Sequence, residues 1–169
     1  MKKLSGEEVL SIVEQTFGND VSAFAYGDYT EAMPEDFEFS EEVEKVKERY
    51  ENAYKAYQNH EAYNVKSSER TPEQETELNA LYEAWRALPS DYEAQKQEFL
   101  NSLGLGEVVE VDQYGGEGQG DTWYSIKHFV DHDVYIRTDG FYASYSGTDF
   151  YDGVGKIVTP KEKTVTVYE

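Results

Sequence analysis

The sequence has no cysteine, which removes disulfide frameworks, thiolate metal sites and cysteine nucleophiles together. Proline is scarce, with four residues, so long helices and strands can run uninterrupted. Long apolar runs are absent too: no window approaches the length of a membrane span. Met1-Lys2-Lys3-Leu4 opens like a secretory signal, but Ser5-Gly6-Glu7-Glu8 puts charge where an apolar segment should follow, so the expectation is a cytoplasmic protein with no membrane partner. Positive charge is the other shortage. Fifteen Lys and Arg face 35 Asp and Glu, a formal charge of −20, and such a field repels nucleic acid and anionic lipid while drawing in basic proteins. Direct nucleic-acid binding is therefore not expected.

What is abundant is aromatic. Rings make up 15% of 169 residues, with 15 tyrosines, although mean hydropathy is −0.77. A disordered acidic chain would lack those rings, so the polarity belongs to the surface of a folded protein of single-domain size. Tyrosine combines a large contact area with a wettable tip and suits half-buried faces.

The clearest folding signal is Asp121 to Ser146. Its β-branched and aromatic runs are cut at Asp131-His132-Asp133 and at Asp139-Gly140, which predicts three antiparallel strands joined by tight turns. Upstream, Ser5 with Glu8 forms a capping-box pattern ahead of the apolar face Val9, Leu10, Ile12, Val13 and Phe17, and Gly18 supplies a stop. Residues 19–39 lose periodicity and read as an acidic connection with a short strand near Ser22 to Tyr26. Ser40 caps a helix expected from Glu41 to about Asn64, with Val43, Val46, Tyr50, Ala53 and Tyr57 in one seam. Thr71-Pro72-Glu73-Gln74 opens a third helix with the seam Leu78, Leu81, Trp85 and Leu88, so 41–88 is an antiparallel hairpin. Pro89 ends it, and a fourth helix follows from Ser90 to Gly104. Beyond Leu105 the pattern turns to β, with strands at Glu107 to Gln113, Gly155 to Thr159 and Thr164 to Tyr168 around the 121–146 stretch. The expected class is α+β: a mainly helical part over 1–104 and an antiparallel β lobe over 105–169, in one compact unit.

Candidate chemistry is thin. Gly115 to Gly120 resembles a phosphate loop in composition only, since no Lys-Ser/Thr and no helix follow, and Glu117 and Asp121 oppose a phosphate. His128 and His132 with Asp131 and Asp133 straddle a turn and would diverge as metal ligands, and no EF-hand ladder exists. Asp-x-Asp at a hairpin is ordinary turn chemistry. No hydrolase signature and no selected carboxylate pair stand out, so neither catalytic residues nor a metal or other cofactor are assigned and the expected class is non-enzymatic.

A binding surface is the sharper expectation. Consecutive aromatics in a strand point to opposite faces, so one face of the sheet meets helices and the other is open, where anchors drawn from Trp123, Tyr124, Tyr135, Phe141, Tyr142, Tyr145, Phe150 and Tyr151, Trp123 and Tyr142 first, would be rimmed by Asp121, Asp131, Asp133, Asp149 and Asp152. Glu35, Asp36 and Glu38 gather without a basic neighbour, and Glu73 and Glu77 stand one helical turn apart. Carboxylates at i,i+4 on a helix rise about 6 Å, and i,i+2 on a strand roughly 6–7 Å, as Asp131 and Asp133 would, close to the step between successive phosphates. Such a surface fits a groove built for nucleic acid on a basic partner protein.

The segment Gly115-Gly116-Glu117-Gly118-Gln119-Gly120-Asp121-Thr122-Trp123-Tyr124, the run Asp133-Val134-Tyr135-Ile136-Arg137-Thr138-Asp139-Gly140-Phe141-Tyr142-Ala143-Ser144-Tyr145 and the last residues Lys163 to Glu169 resemble C-terminal modules of small acidic proteins encoded by tailed bacteriophages. That resemblance covers a little over a third of the chain and carries no catalytic motif. It implies a phage-encoded inhibitor in the host bacterial cytoplasm, of the anti-restriction or anti-CRISPR type that imitates DNA, acting on a nucleic-acid-binding defence enzyme. The alternative it leaves open is an accessory or structural module of a phage particle or replication complex.

Overall fold

The structure, a computed structural model, describes residues 2–116, 120–143 and 146–161. It is α+β, with helices in the N-terminal part and an antiparallel sheet in the C-terminal part. The chain forms two compact units, one of residues 1–34 with 99–169 and one of residues 35–98. This division does not run along the expected boundary at 104: the first helices group with the sheet, and residues 35–98 form their own unit.

In the sheet unit, α1 (Gly6–Phe17) starts at Ser5, whose hydroxyl accepts from Glu8 N while Glu8 accepts from Ser5 N, the predicted capping box. Val9, Val13 and Phe17 are its buried stripe. The segment expected as a strand near Ser22 is instead α2 (Val21–Tyr26). Asp20 decides it locally: its carboxylate accepts from Ala23 N and Ser22 Oγ, satisfying helix-start donors, and Gly27 at φ 84° ends the helix after one and a half turns. A 3-10 turn, Tyr29–Ala32, follows.

The strands are β1 (Val108–Tyr114), β2 (Asp121–Phe129), β3 (Val134–Ala143), β4 (Gly147–Phe150) and β5 (Lys156–Val158). They are ordered β1-β2-β3, with β4 and β5 sharing the far edge of β3. Two strands, not three, occupy 121–143, because Asp139-Gly140 continues β3 where a turn was expected. Gly140 has a different purpose: a Cβ there would stand 2.7 Å from Thr148 Cγ2 and 2.9 Å from Asp149 O, so its bare backbone lets β4 pack against β3. The strand expected over Thr164 to Tyr168 and the centre of the glycine run, 117–119, lie outside the described residues.

One sheet face carries Trp123, Phe129, Val134 and Ile136 into a core with α1, α2 and Tyr29. Aromatic pairs link it: Phe17 to Phe24 at 5.6 Å, Phe24 to Phe129 at 6.3 Å and nearly parallel, and Trp123 to Tyr26 at 5.5 Å and Phe150 at 5.6 Å. Polar groups on this face are satisfied. Thr138 Oγ1 donates to Val154 O, while Ser125 Oγ and Lys127 Nζ both donate to Glu110.

His132, 2% exposed in the β2–β3 turn, ties three distant segments together. Its Nδ1 accepts from Leu4 N at 3.1 Å, and its Nε2 lies 2.9 Å from Gly104 O, which requires the Nε2–H tautomer. Beside it, Asp131 accepts from Glu107 N, and Gly106 at φ 68° is obligatory, because a Cβ there would fall 2.0 Å from the Asp131 carboxylate.

The 35–98 unit is a helical hairpin of α3 (Glu41–Gln58) and α4 (Pro72–Arg86), running antiparallel, since Gln74 meets Glu61, Tyr82 meets Tyr57 and Trp85 meets Tyr54. α3 ends earlier than the expected Asn64, at a turn in which His60 Nδ1 accepts from Ala62 N. Thr71 and Gln74 make the predicted capping box of α4. The seam is aromatic: Trp85 is surrounded by Tyr50, Tyr54, Tyr57 and Tyr82 with centroids 4.9–6.1 Å away. The fourth helix, α5 (Asp91–Ser102), carries the chain out of this unit, and Ser40, the cap of α3, donates from both N and Oγ to Glu98.

His132→Ala is expected to lower stability by about 2 kcal/mol, since it removes the partner of the half-buried Leu4 N–H and Gly104 C=O and opens a void where the buried ring stood. His132→Gln, which keeps one donor and one acceptor, should recover part of the loss. Urea unfolding of the three proteins measures it; an alanine variant as stable as the parent would show that the imidazole holds nothing together.

Candidate binding surface

Alternation along β2 and β3 sends the side chains that do not enter the core to the opposite face of the sheet. Register then sets neighbours: Tyr114 opposite Tyr124 opposite Asp139, Ile126 opposite Arg137, and His128 opposite Tyr135. Tyr114 and Tyr124 stack at 5.9 Å, the Arg137 guanidinium lies 4.0 Å over the Tyr124 ring, and His128 stacks on Tyr135 at 4.1 Å with the planes parallel. Most of these residues are half-buried, and Tyr114 is 61% exposed. A shallow groove of about 550 Å³ runs across the face, lined by Val111, Ile126, Tyr135, Val158 and Pro160 with Asp112, Arg137 and Lys161 at its margins.

Two carboxylates organise the charges here. Asp112 accepts from the Tyr124 hydroxyl at 3.0 Å, and that bond to an anion raises the phenol above its ordinary value. Asp139 accepts from Arg137 Nε at 2.7 Å and pairs with Lys156 Nζ at 2.8 Å. Burial pushes the Asp139 carboxyl upward, but the hydrogen bonds and charges of Lys156 and Arg137 together outweigh it and hold the carboxyl below its ordinary range.

The sequence-predicted residues fall into separate places. Asp121 and Tyr142 are cross-strand partners at one end of the sheet, in a row with Thr148, which bonds the Tyr26 hydroxyl. In the adjoining row Asp149 lies opposite Phe141, and Asp152 is exposed in the turn after β4. Asp121 and Tyr142 therefore share the helix-side face at this end of the sheet, while Asp149 and Phe141 lie on the opposite face. Trp123 is corrected: at 1% exposed it belongs to the core and offers no anchor. Its odd position in β2 puts it on the helix side, whereas Tyr124 carries the exposed ring.

Asp131 and Asp133 are corrected in their geometry. They lie in a turn, so the strand spacing expected for them does not apply. Asp131 is engaged by Glu107 N, and Asp133, at φ 57°, takes the left-handed backbone that lets the turn close. Its carboxylate stands 3.6 Å from His128 Nε2. The two histidines and two aspartates do not converge, because the His132 ring is occupied on both sides. Among the described residues no group of three or more His, Asp or Glu is arranged to hold a metal.

In the hairpin unit Glu73 and Glu77 keep the helical spacing on the exposed surface of α4, with Glu77 3.4 Å from His60 Nε2. Glu35, Asp36 and Glu38 are exposed in the segment before α3. Of the ladder of Tyr114, Tyr124, Arg137, His128 and Tyr135, the sequence offers Tyr124 and Tyr135 among its candidate anchors, whereas Tyr114, Arg137 and the stacking of His128 go unassigned. The period-2 spacing of Tyr124, Ile126 and His128 put them on one face, but their partners depended on a register that no local pattern supplies. Comparison with family models, with curated proteins and with solved structures finds no match.

Because Asp139 is held low in the folded protein, its contribution to stability is fully present above the unfolded value of about 4 and is lost as pH falls through the folded value. Asp139→Asn should remove this part of the acid limb, seen as a shallower fall in urea midpoint as pH drops below about 4. An unchanged acid limb would show that the Arg137 and Lys156 contacts do not persist in solution.

Proposed function

We propose that this protein is a non-catalytic acidic binder that occupies a basic, nucleic-acid-binding site on another protein. The observation that carries the reading is how its charge is distributed. Lys2, Lys45, Lys55, Arg70, Lys96, Lys127, Arg137 and Lys156 are each spent on an internal ion pair. Glu35, Asp36, Glu38, Glu73, Asp121, Asp149 and Asp152 are exposed, and none of them is in an ion pair among the described residues. The net charge of −20 therefore faces outward from acids that the chain does not neutralise. Acids presented in this way attract a cationic groove and displace the counterions that phosphates would displace. In the setting that the C-terminal resemblance implies, the partner is a bacterial defence enzyme and the protein a phage-encoded inhibitor working in the host cytoplasm.

Capture on the immobilised full chain from bacterial lysate at low salt should retain a basic protein that duplex DNA displaces, with retention falling at least about tenfold between 50 and 200 mM salt. Combined Asp121→Lys, Asp149→Lys and Asp152→Lys should weaken retention while leaving the unfolding midpoint within about 0.5 kcal/mol of the parent, since these are surface positions. A partner that binds equally at both salt concentrations, or that DNA does not displace, would overturn the reading.

A further inference from the structure

We propose that the outer edge of β1 is a docking edge for an extended basic segment of the partner, which joins the sheet as an added strand beside Val108–Tyr114. This rests on the acidic-binder reading and assigns it a place. β1 is the terminal strand of the sheet, and among the described residues it pairs with β2 alone. Every second residue of such a strand turns its N–H and C=O outward, which is a template for another strand. β1 is exposed from Val109 to Tyr114, and its apolar side chains Val109, Val111 and Tyr114 are 39%, 48% and 61% exposed.

Charge decides the occupant. From Gln97 to Ile126 the sequence has six acids and no Lys or Arg. Glu107 and Asp112 are exposed along or beside the strand, and Asp121 meets Gln113 and Tyr114 at its end. Lys127, the base that follows, has its ammonium buried against Glu110 at 2.6 Å, and Arg137 is held by Asp139. Among the described residues, Lys161 lines the groove with Val111 and Asp112 and is an exposed cation against these acids. A second copy is disfavoured on the same grounds, since antiparallel self-pairing along β1 would bring the exposed Glu107 and Asp112 of two molecules together with no cation between them, and like charges placed close together are destabilising. The bulge between Glu110 and Asp112 adds a local twist that interrupts flat self-association. A strand that alternates Lys or Arg with β-branched residues meets neither obstacle: its cations, on the face of Val109, Asp112 and Tyr114, reach Glu107 and Asp112, and their methylene stems cover Val109 and Tyr114.

The test uses isotope-labelled full-length protein at about 20 mM salt and three peptides of about nine residues: one alternating Lys with Val or Thr, its Glu-for-Lys counterpart, and the Lys peptide N-methylated at alternate amides. The expected result is binding of the Lys peptide with amide shifts concentrated at 108–114, no binding of the Glu peptide, and a loss of about tenfold on N-methylation, the equivalent of one or two backbone hydrogen bonds. If the N-methylated peptide binds as well as its parent, with shifts spread over other acids, the edge assignment falls and the acidic-binder reading stands. If the Lys peptide does not bind at all, both fall. Concentration-dependent broadening confined to 108–114 in the protein alone would give the edge to a second copy and overturn the proposal.

Discussion

A neutral imidazole with both nitrogens in use holds the sheet unit together. His132 accepts from the residue two before α1 and donates to the carbonyl two beyond the end of α5, while its own backbone closes the β2–β3 turn. These segments are far apart in sequence, so the contact forms only when the N-terminal helices, the exit of α5 and the hairpin are assembled at once. A half-buried donor and a half-buried acceptor wait on it, and each loses a partner if the ring is removed. Asp131 and Gly106 reinforce the same junction from the opposite side.

Charge on the core side of the sheet is handled on the same principle, with the buried cation given its own anion. Lys127 reaches the core face of β2 and is 3% exposed, and Glu110 on β1 supplies its counter-charge along with an acceptor for Ser125. Burying an ammonium is tolerable only with a close, well-placed anion, so the pair fixes β1 against β2 more by excluding other registers than by net stabilisation. Asp139 does for the open face what Glu110 does for the closed one, gathering Arg137 and Lys156. Among the described residues eight cations lie in ion pairs with the chain's own acids, and the excess of acid over base remains at the surface.

Local chemistry was the legible part of the sequence. The capping boxes at Ser5 and Thr71, the seam of Leu78 and Trp85, the antiparallel hairpin and the α+β class are all written in short spacings, and the structure carries each of them. Two local signals misled. Asp139-Gly140 has the composition of a tight turn, but Gly140 is small to admit β4, a tertiary demand invisible in the dipeptide. Val21–Tyr26 has strand-forming residues, yet Asp20 caps it into a helix and Phe24 is drawn into the core. The binding residues divided similarly. Exposure of Asp121, Asp149 and Glu73 followed from charge alone, whereas the fate of Trp123 against Tyr124 turned on which parity of β2 meets the helices, and the role of Asp131 on a backbone N–H donated from Glu107.

The two tryptophans sit one in each compact unit. Trp123 is sealed among Tyr26 and Phe150, in a site that excludes water, and Trp85 lies in a ring of four tyrosines. The molecule thus carries its own pair of optical probes. Emission from Trp85 is fed by energy transfer from its tyrosine neighbours and reports the hairpin, while the colour of Trp123 emission reports solvent entry into the sheet core. Replacing either indole by phenylalanine leaves a single-channel reporter, so the cooperativity between the two units can be read directly from whether their melting curves coincide.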